Sequence, residues 1–122
     1  MAGLAPPARN TFDRDCPSRT VLNHVSSRWG ILVLSLLRER PHRFFLLRDR
    51  IDGISEKMLS QTLRQLASDG LVERRVRATS PPQVSYALTP LGQELAEHVQ
   101  ALLDWIVLRT DDILLARARA AG

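Results

Sequence analysis

The chain has 122 residues, 44% of them hydrophobic, with a formal charge of +4 and an isoelectric point near 10.5. That is apolar material for one modest core in a single domain. No run of about 18 apolar residues is present to cross a bilayer, and the first residues lack the apolar stretch of a secretion signal. One cysteine, Cys16, excludes an internal disulfide and fits a reducing cytoplasm.

Residues 1–15 mix Pro, Ala, Gly and charge without a period and read as a flexible tail. Pro17 suits a first helical turn, and a helix is expected to about Ser27, with Val21, Leu22 and Val25 as a narrow apolar stripe. After a break at Ser26–Gly30, residues 31–40 (ILVLSLLRER) form a second helix, apolar nearly all round and therefore buried. Pro41 stops it, leaving His42 as a solvated turn residue. A third helix from Arg43 to Ile51 turns Phe44, Leu47 and Ile51 inward.

A turn at Asp52-Gly53-Ile54 leads to Ser55, whose hydroxyl can cap a fourth helix. Met58, Leu59, Leu63 and Leu66 form its apolar stripe. The opposite face carries Lys57, Ser60, Gln61, Arg64 and Gln65, all hydrogen-bond donors. Glu56, in the first turn, suits the helix dipole and would avoid phosphate. Past Gly70, residues 71–77 (LVERRVR) alternate as a half-exposed strand, Ala78–Gln83 form a tip with Pro81-Pro82, and residues 84–88 (VSYAL) return. Thr89-Pro90 opens a last helix running to about Arg117, at 1.5 Å per residue roughly 40 Å long. The expected domain spans 16–114, with 115–122 as a short tail.

This order implies a mainly α fold with a small β-wing: a winged helix-turn-helix whose long terminal helices form a dimer. Between Arg38 and Arg77 there are ten basic residues against six acidic; from Thr89 to Gly122 there are three against five. The positive surplus lies in the reading half, as double-stranded DNA would require. Lys57, Ser60 and Gln61 are the candidates for base edges, because reading helices enter the groove by their N-terminal half. Ser55, Arg43, Arg64, Arg75 and Arg77 are the candidates for the DNA backbone. Leu95, Val99, Leu102, Leu103, Trp105 and Ile106 supply more apolar surface than one small domain covers, and are the expected homodimer interface. Two such subunits place their reading helices about one DNA turn, ~34 Å, apart on an inverted repeat.

Catalysis finds no support. His24, His42 and His98 lie on three separate elements, no Gly-rich phosphate loop or nucleophile elbow is present, and neither cofactor nor metal is expected. Cys16, just before a helix N-terminus and near Arg14 and Arg19, is either a thiol sensor or a small packing residue, with Asp13 and Asp15 opposing thiolate formation. The alternative function is a winged-helix protein-interaction module whose basic face is incidental.

A family resemblance rests on many motifs in register. They are Cys16-Pro17, Arg28-Trp29, Arg43-Phe44 with Leu47-Arg48, Gly53-Ile54-Ser55 with Lys57-Met58-Leu59, Leu63-Arg64-Gln65-Leu66 with Asp69-Gly70-Leu71, Pro81-Pro82 with Val84 and Tyr86, and Leu88-Thr89-Pro90-Leu91-Gly92. Together, over about Cys16 to Thr110, they resemble the HxlR family of bacterial regulators, relatives of the MarR group. The resemblance implies a dimeric DNA-binding protein, most often a repressor, and a cysteine at the Cys16 position that in some members answers quinones, aldehydes or oxidants. An inducer, electrophile or small molecule, is implied with it. The chain departs from the family pattern at Ser26-Ser27, at Phe45-Leu46 and in the wing, where Gln83 and Ser85 stand in place of the usual basic residue and then Glu.

Overall fold

The computed structural model describes residues 9–122. The elements run α1 (Pro17–Val25), α2 (Arg28–Glu39), α3 (Phe44–Arg50), α4 (Glu56–Ser68), β1 (Val72–Arg77), β2 (Gln83–Leu88) and α5 (Pro90–Ala121). The two strands pair antiparallel, in a register from Val72 opposite Leu88 to Arg77 opposite Gln83. Helix α2 is the strut: Val33, Leu34 and Leu37 are buried in one cluster with Leu47 and Ile51, with Leu59, Leu63 and Leu66 of α4, and with Ala96 and Val99 of α5.

Several boundaries differ from the sequence expectation for local reasons. Helix α2 begins at Arg28 rather than Ile31, because the Ser27 hydroxyl accepts the Gly30 N–H at 3.0 Å and starts the helix there. Residues 9–15, expected to be part of a tail, form turns clamped to α1, where Arg19 donates to the carbonyls of Thr11 (2.8 Å) and Phe12 (2.7 Å); residues 1–8 of that tail lie outside the described part. Helix α5 does not stop near Arg117 but continues to Ala121, through most of the segment expected to be a C-terminal tail. Its 32 residues span about 48 Å.

His42 is not a solvated turn residue: it is 1% exposed. Its backbone exchanges two hydrogen bonds with Tyr86, adding a one-residue rung to the wing sheet. The ring Nδ1 lies 2.7 Å from the Arg40 carbonyl and Nε2 lies 2.9 Å from the Arg50 guanidinium. Arg50 in turn grips Glu39 at 2.9 Å. The α2–α3 connection is thereby fixed to the wing. Gly70 ends α4 with φ +74°, a left-handed turn that suits glycine. Gly92 serves close approach instead, since a Cβ there would lie 2.0 Å from the Leu71 carbonyl oxygen.

Candidate nucleic-acid interface

Helix α4 is built to present one face. The Ser55 hydroxyl accepts the Met58 N–H at 3.1 Å, closing the first turn. Leu59, Thr62, Leu63 and Leu66 are buried. Met58, expected in that inward stripe, is instead 36% exposed, and Thr62 takes the inward place with its hydroxyl donating to the Met58 carbonyl at 2.8 Å. The reason is angular: at about 100° per residue Met58 falls roughly 80° from Leu66, outside the buried direction, whereas Thr62 lies only about 40° from Leu66. On the other side Lys57, Gln61 and Arg64 are exposed, while Ser60 is half-buried toward the wing. Glu56 lies 3.7 Å from Arg48 of α3, so its charge is partly answered within the protein.

The wing adds Arg74, Arg75 and Arg77, all exposed. Arg75 is engaged by Glu73 at 2.9 Å. Arg77 and Arg43, which sits at the N-cap of α3, line a cleft of about 340 Å³ with Pro41, Leu46, Gln83, Val84 and Ser85. The fold thus brings Arg43 and Arg77 together across elements far apart in the chain. Arg74 was not among the expected contacts, yet it faces α4. The signal was available in the alternation of the strand, which puts Arg74 on the same side as the buried Val72.

Away from the reading helix, the last helix divides in two. Val99 is 5% exposed and belongs to the core, with Leu95 and Leu103 packed against it, so these three expected interface residues are taken up largely within the subunit. Ser35 donates to Gln100 at 2.7 Å, and Arg38 forms a two-bond pair with Glu97 at 2.8 and 3.0 Å, fastening this half of α5 to α2. From Asp104 onward every residue is exposed. Leu102, Trp105 and Ile106 stay uncovered, joined by Val107 at 75% and Leu108 at 78%.

Helix α1 buries no residue fully. It is tied to the end of α4 by His24, whose Nδ1 lies 2.6 Å from the Asp69 carboxylate, a link the sequence did not disclose. Cys16 is the N-cap residue of α1 and is half-buried. Its side chain closes no capping bond, but the Ser18 backbone N–H draws the thiol below its ordinary pKa, partial burial opposes this, and Arg9 adds a smaller push downward. The expected neighbour Arg19 spends its guanidinium on the Thr11 and Phe12 carbonyls instead. Among the described residues no group of three or more His, Cys, Asp or Glu is placed to hold a metal ion, and no helix is long and apolar enough to cross a membrane.

A capped helix with a donor face, set beside a basic two-stranded ribbon, is the geometry of a winged helix-turn-helix. Residues 24–112 match the HxlR-like helix-turn-helix family. The chain belongs to that family. This HxlR-family chain is 51% identical over 113 residues to YtfH of Escherichia coli (strain K12), an uncharacterized HTH-type transcriptional regulator, covering 93% of this chain and 90% of the relative. Among solved structures, a transcriptional regulator designated ytfH from Salmonella typhimurium superposes with a TM-score of 0.85 at 48% identity, over 91% of this chain and 99% of that one. The redox regulator HypR in its oxidized form superposes with a TM-score of 0.69 at 31% identity, over 75% of this chain and 94% of that one. The protein is a transcriptional regulator with a helix-turn-helix domain.

Proposed function

We propose that this HxlR-family regulator binds an inverted-repeat operator as a homodimer and acts as a repressor by occupying it. The observation that carries the reading is the exposed, donor-rich face of α4, with Lys57, Gln61 and Arg64 exposed beside the wing. Lys57, Ser60 and Gln61 address base edges: lysine can bond guanine O6 and N7, and glutamine can bond adenine N6 and N7. Ser55, Arg43, Arg64 and Arg77 hold phosphates, and Arg75 joins them only by leaving Glu73. The uncovered stretch of α5, with Leu102, Trp105 and Ile106 at its start, supplies the subunit contact, since exposed apolar surface of this kind on one helix usually meets a partner.

A titration of duplex DNA against salt tests the reading. A regulator of this type loses affinity as salt rises, with a log–log slope near −0.9 per phosphate contacted. Salt-independent or absent binding would instead support a module that contacts other proteins.

Cys16 is the finer point of the same proposal. A thiol with a lowered pKa at a helix start is poised for adduct formation or for a bond to the partner's own Cys16, and the similarity to a protein described as a redox regulator supports that reading. Quinone or hypochlorite should then weaken or alter operator binding in the wild type and leave Cys16→Ser unaffected in a mobility-shift titration. An equal response in both proteins would make Cys16 a packing residue.

A further inference from the structure

Strand alternation gives the wing two chemically different faces. Glu73, Arg75 and Arg77 share one, and Arg75 is held there by Glu73 at 2.9 Å. Arg74 lies on the other, opposite Tyr86 in the strand register. Together with Ser60, Leu63, Arg64 and Ala67 of α4, Arg74 and Tyr86 line a cleft of about 310 Å³ between the reading helix and the wing. Two arginines from different elements therefore line one cleft, and neither has a carboxylate within ion-pair reach among the described residues. No acidic side chain lines the cleft to repel an anion. Two like charges held together gain from an oxyanion placed between them, and the planar fork of arginine matches phosphate oxygens.

We propose that this cleft seats one phosphate of the DNA backbone bordering the groove that α4 enters, gripped jointly by Arg64 and Arg74. Arg74 then becomes the wing residue that fixes the register of the reading helix, beside Arg75 and Arg77, the wing arginines expected on the DNA backbone. The proposal rests on the DNA-reading assignment of α4 and sharpens it. The same donor set would also suit free inorganic phosphate, and the test separates the two sources.

The experiment measures fluorescence anisotropy of a random duplex against salt for the full chain and for Arg64→Ala, Arg74→Ala, the double variant and Arg119→Ala on the far end of α5. All these side chains are exposed, and a thermal melt of each variant checks that folding is retained. Arg74→Ala should lower the log–log salt slope by about 0.9, as Arg64→Ala should, while Arg119→Ala leaves it unchanged. Because one phosphate serves both arginines, the double variant should lose less affinity than the product of the two single losses. An Arg74→Ala slope equal to wild type, or fully multiplicative losses, would overturn the shared seat. Saturable binding of inorganic phosphate alone, with DNA affinity unmoved by Arg74→Ala, would also overturn it and assign the cleft to a free oxyanion. A wild-type chain that binds no duplex at any salt would bring down the DNA reading itself, an outcome distinct from a failure confined to Arg74.

Discussion

Gln61 stands at the centre of the exposed face of α4, between Lys57 one turn before it and Arg64 nearly one turn after. A glutamine in a groove contributes mainly by choosing among bases, whereas an arginine on phosphate contributes on any sequence. Gln61→Ala should therefore cost about 1–3 kcal/mol on the specific operator and little on random DNA. Competition binding with the two duplexes reads this as a fall in the specific-to-random ratio; an unchanged ratio would remove Gln61 from the reading set. Residue by residue, legibility followed how far each side chain's fate depends on its own helix. Ser55 as cap and Leu59, Leu63 and Leu66 as buried positions were readable, because capping and 3.6-residue periodicity are local. His42 was not, because its burial comes from pairing with Tyr86, 44 positions along the chain, and from Arg50 filling its ring nitrogen. Thr62 was passed over because a hydroxyl that bonds back to the Met58 carbonyl can be buried like a small apolar group.

The attachment of α5 to α2 is polar at its edge, through the Arg38–Glu97 pair. Hydrogen bonds from the Arg38 guanidinium hold the Glu97 carboxyl below the usual carboxylate range, with partial burial opposing and the charges of Arg38 and His98 assisting. A carboxyl depressed in the folded state stabilises the fold above its unfolded pKa, about 4.3, and loses that contribution as pH falls through the folded value. Wild type should therefore melt above Glu97→Gln at pH 6, and the gap should narrow as the pH is taken toward 3. A gap that stays constant across that range would mean the pair has no linked protonation. The elements themselves were all foreseen in order and type, and their ends were less so. The start of α2 moved to the Ser27 cap, and α5 outran its expected end near Arg117 because its last turns, rich in Ala and Arg, are good helix formers with no stop signal before Gly122.

At the scale of the whole molecule, α5 serves two purposes along one axis. Its first half completes the subunit core through Ala96 and Val99, and its second half carries Trp105, Ile106, Val107 and Leu108 uncovered. The sequence showed the excess of apolar residues but assigned Leu95, Val99 and Leu103 to the subunit contact along with the rest, because their true division depends on where the helix, about 48 Å long, outruns the small core beneath it. If the free half joins two subunits, Ile106→Glu places a charge in that contact while leaving the subunit core untouched. Sedimentation at micromolar concentration should then show a dimer for wild type and a monomer for Ile106→Glu, with similar far-ultraviolet circular dichroism. A monomeric wild type would contradict the dimer outright.

The most direct measurement selects duplexes from a random pool with the 122-residue chain and sequences those retained. An inverted repeat with half-site centres about 10 bp apart should be enriched, matching two copies of α4 about one helical turn from each other, and that enrichment should be lost in Gln61→Ala. Retention of DNA without any enriched sequence, or enrichment of a single unrepeated half-site, would contradict the operator reading.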